Sequence, residues 1–206
     1  LKQLKRANAS EDTVEHVNMI AGEASRCGDI VKNLLQFARP KKAEGRKLED
    51  LNRLIQDSLR LVQHKIDLMN VETRLNLDEE MPRVECDAQG IRQVLVAILI
   101  NATEAVGSSE GVITVSSSYH PESKEAEISV EDNGCGMDRE TRRQIFEPFF
   151  TTKEEVRGVG LGLAVVSGIV SSHGGEIQVE SEVGLGTTFR ILLPATADES
   201  LTVESN

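Results

Sequence analysis

Aromatic side chains are scarce in this sequence, which has five Phe, one Tyr and no Trp among its 206 residues. A hydrophobic core must therefore be built from Ile, Leu, Val and Ala. Three of the five phenylalanines nevertheless fall within five consecutive positions, as Phe146, Phe149 and Phe150. This crowding predicts a local hydrophobic cluster in that segment.

Cysteine and long hydrophobic runs are also rare, and their absence excludes several classes of protein. Cys27, Cys86 and Cys135 are far apart and form no CxxC pair, so neither a disulfide framework nor a zinc knuckle is indicated. No run approaches the roughly 18 apolar residues of a membrane helix, and the first residues lack the pattern of a signal peptide. We therefore expect a cytoplasmic location and no membrane contact through this chain.

Positive charge is in deficit, because 23 Lys and Arg residues stand against 34 Asp and Glu residues, for a net charge of −11. A phosphate-bearing partner would approach against a repulsive field, so nucleic-acid binding is not expected. If a nucleotide binds, its charge must be met locally by a metal ion, a few basic side chains and backbone N–H groups.

The chain is long enough for one ordinary domain and a smaller appendage. Apolar residues spaced alternately 3 and 4 apart between Val17 and Ala38 form the seam of a heptad pattern. We expect this helix to pair with a second copy in a four-helix bundle; packing onto the chain's own globular domain is the alternative. We assign residues 1–40 to a partial helical hairpin, 41–46 to a linker, 47–194 to a second domain and 195–206 to an acidic tail.

The second domain mixes helical and strand patterns. Apolar periodicity predicts helices at 51–69, from the cap Asp87 to Val106, after Asp138 and at 161–172, and alternation predicts strands at 71–77, 111–119, 125–131, 176–182 and 187–193. Helices intermixed with neighbouring strands predict an α+β fold, a two-layer sandwich, rather than a doubly wound parallel sheet.

Three segments rich in glycine stand out. Residues 132–137 follow a strand, and there Asp132 can accept a hydrogen bond from a ligand amino group, although a plain hairpin turn has the same pattern. Residues 158–163 lead into a helix and predict an anion site without the GxGxxG spacing of a dinucleotide fold. Residues 184–189 alone indicate a turn.

An amide interrupts the most apolar predicted helix, at Asn101. Such a group is either a hydrogen-bonded core residue or a ligand for a hard cation through its side-chain oxygen. Helical periodicity places it on one face with Ala97, Glu104 and Ala105.

Together these segments resemble the ATP-binding domain of sensor histidine kinases, over roughly residues 47 to 194. In chain order, the similar segments are the N box around Asn101, the G1 box at 132–136, the F box at 146–153, the G2 box at 158–163 and a final glycine box at 186–189. The segment 23–40 resembles the second dimerisation helix of the nitrogen-regulation type of these kinases. The chain is thus identified as a member of the superfamily of gyrase, heat-shock-chaperone and histidine-kinase ATPases.

The resemblance implies a Bergerat-type ATP-binding fold and assigns roles to individual residues. Asp132 would bind the adenine amino group, with Gly134, Gly136 and Thr187 around the purine. Asn101 would hold Mg²⁺, and Asn101 and Lys153 would be the catalytic residues. The mobile lid over the phosphates would consist of Gly158, Gly160, Leu161, Gly162 and Leu163, with added positive charge from Arg157 and, less directly, Arg143.

The implied function is ATP-dependent phosphorylation of a histidine in two-component signal transduction. The partners would be ATP or ADP, the phosphoacceptor helix of the same kinase, a cognate response regulator, and a second copy joined through the helical hairpin. An alternative is a nucleotide-gated interaction module without catalysis, and a further one is an ATP hydrolase.

Two departures from the family pattern bear on these alternatives. Ala97 stands where the family has Asn or Glu, which removes one metal or water contact and disfavours hydrolysis.

No histidine has the phosphoacceptor context: His16 precedes Val17, His64 precedes Lys65, His120 precedes Pro121 and His173 precedes two glycines. We therefore expect a fragment that cannot phosphorylate itself, with His16, His64 and His120 on the surface and His173 near a helix carboxyl end.

Overall fold

The computed structural model describes residues 45–107, 110–152 and 160–195, together with helical backbone at Thr13, His16, Val17, Met19 and Ile20. The rest of the predicted hairpin, most of the linker, the tail from 196 onward, and Lys153, Arg157 and Gly158 lie outside the described residues. Within the described part of the chain, no helix has the length and apolar character needed to cross a membrane.

Helices and strands are intermixed along the chain, and the predicted elements occur in the predicted order. They are β1 (Lys47–Glu49), α1 (Leu51–Leu68), β2 (Glu72–Asn76), β3 (Val84–Cys86), α2 (Ala88–Val106), β4 (Val112–His120), β5 (Glu125–Asp132), α3 (Arg139–Gln144), α4 (Gly162–Ser172), β6 (Glu176–Glu182) and β7 (Gly186–Pro194). The three-residue strands β1 and β3 were not predicted.

Five strands form one sheet in the order β2-β4-β5-β7-β6, and β1 and β3 form a separate antiparallel ribbon. Within the sheet, β2 and β4 are parallel and the other pairs are antiparallel. Helix α2 packs on β4, β5 and β7 and also contacts α1 and α4. This sheet with a layer of helices confirms the predicted α+β class.

Strand residues alternate between the core and the other face of the sheet. Val115, paired with Val130, is buried, and so are Ile128 and its partner Ile191. The intervening positions carry polar side chains such as Arg190, which lies 2.8 Å from Glu180. The helices therefore cover one face, and the other is polar.

Aspartates cap the first three helices by accepting backbone hydrogen bonds. Asp50 accepts from the Arg53 N–H (3.0 Å), Asp87 from the Gln89 N–H (3.1 Å) and Asp138 from the Thr141 N–H (2.7 Å). These caps occupy N–H groups that the first helical turn leaves without a partner. The starts of α2 and α3 lie where capping chemistry predicted them.

His173 ends α4, as predicted, and also joins α4 to the start of α2. Its Nδ1 lies 2.8 Å from the Ile169 carbonyl oxygen, and its Nε2 accepts a hydrogen bond from the Asp87 N–H at 2.9 Å. The ring hydrogen therefore belongs on Nδ1. His173 is 9% exposed, so this imidazole is a core group. Next to it, the Arg46 guanidinium donates to the Ser172 carbonyl.

We expect His173→Leu to lower the free energy of unfolding by about 1–3 kcal/mol, because the Asp87 N–H would lose its acceptor. Urea unfolding followed by circular dichroism measures the difference. His64→Leu, at an exposed position of α1, is the control and should change stability by less than about 0.5 kcal/mol. Equal effects of the two substitutions would contradict a structural role for His173.

Candidate functional site

Most of the predicted site residues among those described meet at one end of the sheet. Asp132 ends β5 and pairs with Thr187 at the start of β7. The loop after β5 touches the end of α2, since the Cys135 N–H donates to the Ala105 carbonyl at 3.0 Å. Gly162 begins α4, whose first turn faces the Ala97 region of α2.

Asp132 is a buried carboxylate held by backbone donors. It is 4% exposed, and its Oδ1 accepts the Gly134 N–H at 2.9 Å. Burial raises its pKa above the ordinary value, helped by the Glu131 charge and opposed by hydrogen bonds from the Gly134 and Thr187 N–H groups. Among the described residues no cationic side chain pairs with it. A buried acceptor of this kind suits a neutral donor, such as a ligand amino group.

The glycines of the 132–137 loop are needed for packing against protein backbone. A Cβ on Gly134 would lie 2.5 Å from the Ala105 carbonyl carbon, and one on Gly136, whose φ is +63°, would lie 1.9 Å from the Glu182 oxygen. Gly186 is equally constrained, because an added Cβ would lie 1.9 Å from the backbone carbonyl oxygen of Asp132. The glycines thus hold the loop that carries Asp132 between α2 and the β6–β7 turn.

Ser181 organises this corner of the site and was not predicted from the sequence. Its Oγ lies 2.9 Å from the Gly186 oxygen and 3.0 Å from the Thr187 hydroxyl, and it accepts the Met137 N–H at 2.8 Å. The signal lay in the strand register, because Ser181 pairs with Thr187 across β6 and β7. Asn133 was missed too; its amide bridges Val112 and Glu110.

Asn101 is half-buried on α2, and its amide makes no hydrogen bond to another described residue. Of the residues predicted to share its face, Glu104 is turned toward α1 and forms an ion pair with Lys65. The described residues contain no group of three His, Cys, Asp or Glu side chains that could hold a metal. A cation at Asn101 would therefore take most of its ligands from the bound molecule and from water.

A cavity of about 70 Å³ lies one helical turn before Asn101. Ala97 and Gln93 of α2 face Leu161, Gly162 and Val165 of α4 across it. The short Ala97 side chain leaves this space, which is large enough for water. Leu161 precedes α4 and offers no side-chain cap, and among the described residues no side-chain acceptor is found for the first N–H groups of α4. They make this helix end a suitable anion site.

The F-box segment is hydrogen-bonded to Gly160, the first described residue of the lid. The Phe149 N–H donates to the Gly160 oxygen at 2.9 Å, and a Cβ on Gly160 would lie 2.5 Å from the Phe150 oxygen. Phe146 and Phe150 pack against the core, whereas Phe149 is 58% exposed and has a φ of +70°. The expected cluster thus divides into two core residues and one exposed ring.

The remaining predicted residues are placed as follows. Leu161 is buried and Leu163 half-buried at the start of α4, while Arg143 is exposed on α3. Lys153, Arg157 and Gly158 fall in the segment outside the described residues.

Comparison with known proteins identifies the fold and its relatives. The family model for the histidine kinase-, DNA gyrase B-, and HSP90-like ATPase matches residues 86–197. The signal transduction histidine-protein kinase AtoS of Escherichia coli (strain K12) is 37% identical over 189 residues, which are 92% of this chain and 30% of AtoS. The chain therefore spans less than a third of that relative.

Solved structures agree with this. The nucleotide-free catalytic domain of the histidine kinase ThkA superposes with a TM-score of 0.64 at 36% identity, covering 72% of this chain and 94% of the domain. ThkA in complex with the response regulator protein TrrA gives a TM-score of 0.71 at 30% identity, covering 96% of this chain and 56% of that one. The chain belongs to the family of histidine kinase-, DNA gyrase B- and HSP90-like ATPases, and its ATPase domain is that of the sensor histidine kinases.

Proposed function

We propose that this chain is the catalytic part of a sensor histidine kinase that binds ATP with Mg²⁺ and transfers the γ-phosphoryl group to a histidine on a dimerisation helix. One observation carries this proposal: the buried Asp132 carboxylate, Asn101 and the uncapped start of α4 lie at the same end of a histidine-kinase ATPase domain.

At the adenine end, Asp132 would accept a hydrogen bond from the exocyclic amino group. Its backbone donors leave further lone pairs of the carboxylate for a ligand. Guanine presents a carbonyl at the corresponding ring position and would leave Asp132 facing another acceptor. Adenine is therefore selected. Gly134, Gly136 and Thr187 would border the purine.

At the phosphate end, backbone donors would supply much of the positive potential. Gly160 and Leu161 precede α4, and the first N–H groups of the helix are those of Gly162 and Leu163. Gly158 would extend this lid, and Lys153 and Arg157 would add full positive charges near the terminal phosphates. This local arrangement would offset the overall charge of −11.

Asn101 would hold Mg²⁺ through its side-chain oxygen, since its amide has no other described partner. When bound, the ion would neutralise the phosphate oxygens. Ala97 carries no carboxylate that could activate water, so this chain's own residues favour transfer to an external nucleophile over hydrolysis. Their task is to hold the triphosphate in place and exclude water.

The acceptor would be an imidazole nitrogen that attacks the γ-phosphorus, with ADP leaving. His173 does not fit this role, because both its nitrogens have partners in the core, and His120 lies beside Glu127 on the sheet. We infer that the acceptor lies on a dimerisation helix of the nitrogen-regulation type, in a cytoplasmic homodimer joined through the helical hairpin. ThkA in complex with TrrA supports a response regulator as the next partner.

A second candidate function is a nucleotide-gated interaction module without catalysis. The observation that favours it is Ala97 with its adjoining cavity, since a missing polar contact beside Asn101 would weaken metal binding. Both candidates require ATP binding and differ only in whether the phosphoryl group is transferred.

We expect the chain to label a separate dimerisation hairpin with acceptor histidine when both are incubated with γ-labelled ATP and Mg²⁺. Asn101→Ala should reduce transfer by about 100-fold or more, because the phosphate charge would be poorly stabilised. Asn76→Ala, at an exposed position of β2, is the control and should leave transfer unchanged. Tight ATP binding without transfer would favour the interaction module, and phosphate release without hairpin would favour the hydrolase.

We expect Asp132→Asn to weaken ATP binding by about 10- to 100-fold, the loss typical of a hydrogen bond to a charged group, as measured by calorimetry. Asp138→Asn, an exposed helix cap, should bind ATP normally. Because the pKa of Asp132 is raised, wild-type affinity should be lost as pH falls through that raised value, at a higher pH than for an ordinary Asp. Undiminished binding by Asp132→Asn would show that the adenine contact is misassigned.

We expect Phe149→Ala to impair phosphoryl transfer more than ATP affinity, because this exposed ring is available to dock on the dimerisation helices. Phe150→Ala should reduce stability instead, since Phe150 packs on the core. Transfer rate, ATP affinity and melting temperature, measured on both variants, separate these roles. Parallel losses of transfer and affinity in Phe149→Ala would argue against docking.

A further inference from the structure

Three polar side chains form a row across β5, β7 and β6 at the site end of the sheet. Asp132 pairs with Thr187, and Thr187 pairs with Ser181. Paired residues share a face of the sheet, and here it is the face that packs against the helices, because Asp132 and Thr187 are buried. Neighbouring strands lie about 5 Å apart, so about 10 Å separates Asp132 from Ser181. Ser181 therefore acts on a ligand at Asp132 through Thr187, which stands between them.

The contacts of the Ser181 hydroxyl fix which group donates in each of them. The hydroxyl oxygen accepts the Met137 N–H at 2.8 Å. It also lies 2.9 Å from the Gly186 carbonyl oxygen and 3.0 Å from the Thr187 hydroxyl oxygen. A carbonyl oxygen cannot donate, so the single hydroxyl hydrogen of Ser181 goes to Gly186. The contact between the two hydroxyls then uses the hydrogen of Thr187, and this assignment satisfies all three contacts.

The hydroxyl hydrogen of Thr187 is thereby directed toward β6 and away from Asp132. The Thr187 oxygen keeps a lone pair, so it can accept a further hydrogen bond but cannot donate one. The Asp132 carboxylate beside it is also an acceptor. A purine placed against this pair must bring donors, and the exocyclic amino group of adenine brings two hydrogens. A carbonyl at the same ring position would meet two acceptors, which is a costly mismatch in a buried site.

We propose that Ser181 is a positioning residue for base specificity, which keeps the Thr187 hydroxyl in its accepting orientation. This inference rests on the proposed binding of ATP at Asp132, and it adds a residue that itself lies away from the base. Without the Ser181 oxygen, the Thr187 hydroxyl is free to turn and donate to a carbonyl on the base. The loss of Ser181 therefore relaxes the choice between adenine and purines that carry a carbonyl in place of the amino group.

Calorimetric titration of the full chain with ATP and with inosine triphosphate, which has such a carbonyl, tests the proposal. In Ser181→Ala the ratio of the inosine triphosphate Kd to the ATP Kd should fall by about 2- to 10-fold, the range for one hydrogen bond between uncharged groups. Ser181→Thr keeps the hydroxyl and should keep the wild-type ratio. Ser129→Ala, on the polar face of β5 opposite Arg190, is the matched control. Equal losses of both nucleotides in Ser181→Ala would show a purely structural role and overturn the proposal.

Thr187→Val tests the same hydrogen-bond assignment without altering Ser181. Because the wild-type hydroxyl accepts and does not donate, its removal should weaken ATP binding and leave the binding of inosine triphosphate unchanged. Equal weakening of both nucleotides would mean that the hydroxyl also donates, which would overturn the proposal.

Asp132→Asn, titrated in parallel, separates this inference from the proposed function. If Asp132→Asn weakens ATP binding but Ser181→Ala leaves the ratio of the two Kd values unchanged, the adenine site stands and the role of Ser181 is refuted. If neither substitution changes nucleotide binding, the adenine site itself is misassigned and the role of Ser181 falls with it.

Discussion

The burial of α2 is the constraint on which the rest of the structure depends. Ile91, Val94, Leu95, Ile98 and Leu99 are each at most 1% exposed, and burying each such side chain contributes about 1.5–3 kcal/mol. The helix therefore cannot rotate about its axis without exposing this face to water. Asn101 belongs to the same helix, so its position is set by apolar packing within the three preceding turns. The packing of α2 in the core therefore fixes the position of Asn101 in the site.

Backbone contacts hold the other half of the site. Asp132 is oriented by backbone N–H groups. The loop that carries it packs closely between α2 and the β6–β7 turn, which is possible because its glycines lack the Cβ that would clash with protein backbone there. At the opposite end of α2, His173 joins α4 to the Asp87 cap. From that junction α4 extends back to its first residue, Gly162. The start of α4 and the last turns of α2 therefore reach the site from one packed pair of helices.

Much of this fold could be predicted from the sequence, because helix caps and apolar periodicity are local signals. The starts of α2 and α3 follow from Asp87 and Asp138. Strands β1 and β3 could not be predicted, because three residues are too few to show an alternating pattern. Their pairing also joins residues far apart in the sequence, such as Lys47 and Cys86. The strand predicted at 71–77 is found as β2, although its residue Leu75 is 45% exposed because this strand lies at the sheet edge. Ser181 was missed because only tertiary register brings it to Thr187.

Net charge alone is a poor guide to whether this domain binds a triphosphate. Distant carboxylates, such as Glu127 and Glu180 on the polar face of the sheet, are partly paired with Arg190 and are screened by salt over about 8–10 Å. Backbone N–H groups at the start of α4 act at contact distance and carry no net charge of their own. A compact anion therefore meets a favourable local field within an acidic chain. The expectation that nucleic acid does not bind rests on a different requirement, because a nucleic acid needs positive charge over a broad surface.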